Sequence, residues 1–283
     1  MKFGDLEFHV ISDGVFRLDG GAICGVVPKP LWERKFPPDD RNRIELAMNC
    51  ILIRASGTNI LVDTGAGSKL EGSVREIFGI ENSLLVERLH GYGLRPEDIH
   101  IVVNTHLHFD HCGGNTRMDG EKAVPVFPNA RYIIHKGERE HAKNPNVRDR
   151  LTYLPENYDP VEAAGQMELR EGDSTVVPGV ELVEVPGHTA NMWCVKLTGQ
   201  MSAGGAQTAF FFVDLVPTAV HLQLSWIMSY DLYPMTTLEN KKRLLPLAAR
   251  EGWLALFCHD ARVPAAYIRE RDKRWEAEPA KVD

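Results

Sequence analysis

Apolar residues in this chain gather in short runs, and most of those runs stop at a polar residue that could do chemistry. The runs at 101–103 (IVV), 130–134, 180–185 (VELVEV), 209–213 (AFFFV) and 253–257 (WLALF) are strand-length. The near-continuous 209–213 run fits a strand buried on both faces. Two more strands are predicted at 48–53 and 59–62. Nearer the N-terminus, Phe8, Val10 and Ser12, then Val15 to Leu18, flank Asp13-Gly14, which predicts a β-hairpin. Helical spacing appears at 71–92 (Val74, Ile77, Phe78; Leu84, Leu85, Leu89) and predicts one or two amphipathic helices, with Gly91 and Gly93 as the stop. A short turn at 96–98 and a short helix at 136–142 complete the local reading. Residues 20–49 sustain no period; they hold four prolines together with Ile23, Val26, Leu31, Trp32 and Phe36. A segment of that length without structure is usually functional or disordered, and its apolar content predicts a substrate-covering loop. The competing expectation for the same residues is a homodimer contact.

The strand at 101–103 runs directly into NTHLHFDHCGGN at 104–115. His106, His108, Asp110 and His111 thus place four potential metal ligands within six residues. On an extended backbone His106 and His108 share a face, and the turn announced by Gly113-Gly114 re-aims Asp110 and His111. One pair can then grip one metal and the other pair a second. The later strands repeat the theme: 180–185 delivers His188 in a Pro-Gly-His-Thr turn, 209–213 delivers Asp214, and 253–257 delivers His259-Asp260. His188, Asp214 and His259 supply the three ligands that the first cluster lacks. Asp63, at a strand end before Thr64-Gly65, reads as a turn former or as an outer carboxylate that orients a ligand histidine. His135 and His141 have no ligand partner at useful spacing and read as structural. The five cysteines are odd in number and widely spaced, so no disulfide framework is expected. Cys112 and Cys258 each adjoin a histidine and are expected to point away from it.

Composition narrows the function further. With 283 residues, 43% apolar and 25% charged, and no linker or repeat, residues 1–283 read as one globular domain. A net charge of -7 argues against a nucleic-acid partner. No apolar run reaches about 18 residues and the opening residues do not read as a signal peptide, so the expectation is a cytoplasmic protein that does not bind membranes.

HLHFDH, PGHT and the strand-end carboxylates together resemble the motifs of the metallo-β-lactamase fold superfamily, a resemblance that runs from 63–65 to 259–260. It implies an αββα sandwich, two mixed β-sheets face to face with helices outside, and a dinuclear site at one edge. His106, His108 and His188 would hold one ion, Asp110, His111 and His259 the other, and Asp214 would bridge them. Such donors suit two zinc ions, with iron, manganese or cobalt as alternatives. The implied nucleophile is a metal-bridging hydroxide, with Asp110 carrying a proton to the leaving group; no GxSxG or CxxC offers another.

Within the superfamily, His108 stands where flavin-partnered diiron reductases carry an acid, and Asp214 is a carboxylate that the β-lactamases themselves lack. Nucleases of the superfamily bring added domains and basic surfaces. The chain is most similar to the lactonase-like and phosphotriesterase-like branch, which includes N-acyl homoserine lactone lactonases and methyl parathion hydrolases. The implied function is opening of an ester-like bond in a small molecule, a lactone of acyl homoserine lactone type, with phosphotriesterase side activity. Thioester hydrolysis of the glyoxalase II type and a non-catalytic ligand-binding or sensing protein are the alternatives. Two departures bear on substrate: Ala190-Asn191 follows PGHT, and Leu215 to Thr218 stands where many acyl homoserine lactonases carry a tyrosine. His221 and Tyr230, which follow, join Trp32 and Phe36 as expected pocket residues.

Overall fold

Alternation along a single strand sets the layering of the molecule. In the strand Arg43–Ala55, Ile51 and Ile53 point into one hydrophobic cluster while Cys50 and Leu52 point into another, as the two-residue period requires. The computed structural model describes residues 1–200 and 205–282. Among them, one seven-stranded sheet runs in the order Lys2–Phe3, Leu6–Asp19, Arg43–Ala55, Thr58–Val62, Ile101–Val103, Arg131–His135, Met167–Arg170. A second seven-stranded sheet runs Ser174–Val177, Val180–Glu184, Trp193–Gln200, Ala206–Phe211, Leu254–Leu256, Ala265–Arg271, Arg274–Pro279.

The two sheets pack face to face, since one cluster joins Phe8, Ile51, Val62 and Val103 of the first to Leu182, Val195, Phe211 and Leu256 of the second. Helices cover the outer faces. Leu85 and Leu89 of the helix Leu85–Gly91 pack on Leu52, Leu61 and Val102, and Leu244, Leu245 and Ala248 of Pro234–Glu251 join the cluster that holds Ala266 and Ile268. Both sheets are mixed: Thr58–Val62, Ile101–Val103 and Arg131–His135 are parallel neighbours, as are Ala206–Phe211 and Leu254–Leu256. The αββα sandwich implied by the sequence resemblance is therefore the observed fold. No helix among the described residues is long and apolar enough to cross a membrane.

Two expectations are corrected. The residues around Asp13-Gly14 make no hairpin. Leu6–Asp19 is one 14-residue strand, and its register against Arg43–Ala55 shifts between Ser12 and Val15. The reason lies in Asp13, which is fully buried. Its carboxylate accepts from the backbone N–H groups of Gly67, Leu84 and Leu85 and from the Ser83 hydroxyl. A bulge turns that side chain inward without ending the strand. The segment 20–49 is also more structured than expected: it forms the short helices Gly20–Cys24 and Lys29–Trp32, and the long strand already begins at Arg43.

Candidate metal centre

The strand Ile101–Val103 ends before the ligand-rich stretch, and 104–108 is irregular before the one-turn helix Phe109–Cys112. His106 and His108 therefore meet through a loop and not on an extended strand; their rings lie 4.6 Å apart, edge to face. Asn104 and Asn115, which bracket the stretch, close it by reciprocal amide hydrogen bonds of 2.8 and 3.1 Å. Between them, side chains at Gly113 and Gly114 would collide with the carbonyl oxygens of Ala66 and Thr64. That close approach explains the glycine pair.

All seven residues singled out by sequence converge. The Asp214 carboxylate is central: its Oδ2 lies 2.9 Å from His111 Nε2, 3.4 Å from His106 Nε2 and 3.8 Å from His188 Nε2, while Oδ1 lies 3.2 Å from His259 Nε2. His188 Nε2 is 3.0 Å from His108 Nδ1. Asp110 Oδ2 reaches to 3.5 Å from His259 Nε2 and 3.7 Å from His111 Nε2. Val213, just before Asp214, is a fully buried β-branched residue at φ +49°. Such a backbone costs of order 1–3 kcal/mol and persists where the surroundings impose it.

Outer partners fix the imidazoles. Asp63, itself at φ +58°, faces His111 Nδ1 at 2.8 Å and accepts from the Thr105 N–H and hydroxyl. Asp231 faces His188 Nδ1 at 3.0 Å and accepts from Thr237. His259 Nδ1 lies 2.8 Å from the Ala47 carbonyl, and His106 Nδ1 lies 3.2 Å from the Thr105 hydroxyl. Asp231 carried no sequence signal beyond an acid shortly before a helix start.

The electrostatics fit a cation site. Burial works to lower the His111 imidazole, but the carboxylates of Asp214, Asp110 and Asp63 outweigh it and hold the ring well above its usual range. Burial opposes ionisation of Asp214, yet His111, His188 and His259 hold it well below the usual carboxylate range. Burial, reinforced by neighbouring histidines, pushes His106 and His108 well down. His106 Nε2 and His108 Nε2 are buried without any hydrogen-bond partner, a costly arrangement for a protein by itself. Metal-type ligand atoms form two groups, His106, His108 and His188 in one and His111, Asp214, Cys258 and His259 in the other, each within 4.8 Å. Cys258 thus corrects an expectation: its Sγ lies 3.8 Å from Asp214 Oδ1 instead of pointing away. Cys112 does point away, toward the Leu107 carbonyl.

The cluster lies at the base of a cavity of about 410 Å³. Leu18, Ile23, Phe78, Phe109, Leu151 and Met228 make its apolar wall, and Arg148, Asp149 and Tyr230 add polar groups. Tyr230 lines it as expected; burial and the charges of Asp19 and Asp110 push its phenol up to about 12, so it is a donor at neutral pH. Trp32, Phe36 and His221 do not line it. Trp32 is core, packed over Gly20. His221 is fully buried, with Nε2 donating to the Ile23 carbonyl at 3.0 Å, and Phe36 stands 6.3 Å from its ring. Through Ile23, His221 supports the wall from behind.

Residues 44–200 match the family model of the metallo-beta-lactamase superfamily. An N-acyl homoserine lactonase of Bacillus sp is 33% identical over 236 residues, covering 77% of this chain and 82% of that protein. The N-acyl homoserine lactonase AiiB of Agrobacterium fabrum is 28% identical over 209 residues, covering 66% of this chain and 70% of the relative. Among solved structures, a protein of Staphylococcus aureus described as a probable metal-dependent hydrolase superposes with a TM-score of 0.90 at 30% identity over the full length of both chains. The structure of AidC, a dizinc quorum-quenching lactonase, superposes with a TM-score of 0.80, covering 100% of this chain and 97% of that one; at 21% identity it speaks to fold. The chain belongs to the metallo-beta-lactamase superfamily and is a metal-dependent hydrolase.

Proposed function

We propose that this chain opens a lactone ring, in a substrate of acyl homoserine lactone type, at a dinuclear centre. The observation that carries the reading is the joining of seven convergent ligand side chains to an apolar cavity, because a polar ring and an acyl chain need both at once. His106, His108 and His188 would hold one ion, Asp110, His111 and His259 the other, with Asp214 facing both. Two divalent ions, zinc by the imidazole-rich donor set, supply an activated water and an electrophilic hold on the carbonyl oxygen. The chain's own residues do the rest. Ile23, Phe78, Phe109 and Met228 exclude water from around the acyl chain. Asp110, whose side chain is 13% exposed against 3% for Asp214, takes the proton of the attacking water. It returns that proton to the ring oxygen as the acyl carbon–oxygen bond breaks. Tyr230 offers a hydroxyl donor at the same wall. The support from relatives is the name N-acyl homoserine lactonase on a protein 33% identical to this one.

The test is one zinc-loaded preparation assayed against acyl homoserine lactones of several chain lengths, simple lactones, thioesters, aryl esters and phosphotriesters. The expected result is kcat/KM highest on the acyl homoserine lactones. Higher efficiency on a thioester or phosphotriester, with lactones idle, would sink the reading.

A further inference from the structure

Glu138 lies in the first turn of the helix Lys136–Lys143 and is only 1% exposed. Its Oε1 accepts from the backbone N–H of Leu107 at 3.2 Å and from the Tyr153 hydroxyl at 2.7 Å, and its Oε2 accepts from the Thr189 hydroxyl at 2.9 Å. All three donors are neutral. A carboxylate taken out of water with only neutral partners is expensive, and a helix face on a hydrophobic core has no need of one. What distinguishes the three donors is where they sit. Leu107 stands between His106 and His108, Thr189 follows His188, and the ring of Tyr153 packs edge-on against His108 at 4.9 Å.

We propose that Glu138 is a positioning residue, which locks the loop carrying His106 and His108 and the turn carrying His188 into one register. It touches neither substrate nor metal. Hydrogen bonds to an ionised acceptor are shorter and stronger than neutral ones, and two oxygens reaching three segments fix their relative positions as no single backbone contact could. The inference rests on the reading of His106, His108 and His188 as the ligands of one ion, and it adds a residue that no ligand motif contains.

The test uses the full chain loaded with zinc, titrated with a zinc chelator of known affinity. Glu138→Ala should release one of the two ions about 10- to 100-fold more readily than the wild type, the scale typical of outer partners of metal ligands. The second ion should be unchanged. Turnover should fall through kcat with KM nearly constant, since substrate contacts are untouched. Glu138→Gln should restore both, because its carbonyl can accept from Leu107 and Tyr153 while its amide donates to the Thr189 hydroxyl. A merely structural role would loosen both ions together. Should Glu138→Ala fail to fold, Thr189→Val and Tyr153→Phe each remove one arm and should each loosen the same ion. The idea is overturned if Glu138→Ala, or both single-arm variants, hold both ions as the wild type does. Chelator release needs no substrate, so the two readings fail separately. Selective loosening in a protein that opens no lactone overturns the substrate reading alone, and an active lactonase indifferent to Glu138→Ala overturns this one alone.

Discussion

Four of the five imidazoles, those of His106, His111, His188 and His259, turn Nδ1 outward onto a partner, and those partners decide what the inward nitrogens can do. The pairs His111–Asp63 and His188–Asp231 put a carboxylate behind a ring at 2.8 and 3.0 Å, which fixes the tautomer and raises the basicity of the inward nitrogen. Asp231→Ala should therefore weaken zinc binding about 10- to 100-fold, with Asp231→Asn milder because its carbonyl can still accept from Nδ1–H. Chelator competition on purified protein checks this, and equal affinity in both variants would mean that Thr237 or the backbone sets the ring. Asp214→Ala should do more: the Asp214 oxygens lie within 3.8 Å of four imidazoles, so at least one metal per chain should be lost and turnover with it. Elemental analysis of the variant decides, and two metals with ordinary activity would remove Asp214 from its place. Asp63 was legible in the sequence because it ends a strand before a glycine. Asp231 was not, since it lies 43 residues from His188 in a segment without periodicity. The expectation for Cys258 failed for a related reason: the strand Leu254–Leu256 ends two residues before it, so strand alternation no longer governs Phe257 and Cys258.

At the scale of elements, the strands were legible wherever an apolar run met a ligand. The pocket wall was legible only at Ile23, in the segment expected to cover the substrate, because Leu18, Phe78, Phe109 and Met228 come from separate places in the chain and share no spacing. Trp32 misled for a physical reason. An aromatic residue in an aperiodic segment serves equally as pocket wall or as the core of that segment, and only Gly20 beneath the ring shows which. Trp32→Ala should consequently cost ~3–5 kcal/mol of stability and leave the order of substrate chain lengths unchanged. Met228→Ala and Ile23→Ala should reorder that series chiefly through KM, with metal content constant, since they enlarge the wall without touching a ligand. A chain-length series beside denaturant unfolding separates these outcomes. A reordered series in Trp32→Ala at unchanged stability would return Trp32 to the pocket.

For the whole molecule, acid should act through two routes that can be told apart. The first is the metal centre, where histidines must be neutral to bind, so affinity falls as pH drops; excess zinc offsets this by mass action. The second is His221, which burial above all holds down to about 3, against about 6.5 for the unfolded chain. The folded state keeps this ring neutral where the unfolded state protonates it. Its contribution is therefore fully present above about pH 6.5 and is lost as pH falls toward 3, at no more than about 1.4 kcal/mol per pH unit. Zinc cannot restore that loss, because the ring sits behind Ile23 and donates to its carbonyl. Melting midpoints measured from pH 7 to 4, with and without excess zinc, should fall in both series, less steeply with zinc. His221→Gln, which keeps a donor for Ile23 and does not titrate, should start less stable at pH 7 and show a flatter slope at saturating zinc. A slope identical to the wild type under saturating zinc would mean that His221 is not the second route, and that the remaining acid sensitivity belongs to other buried groups.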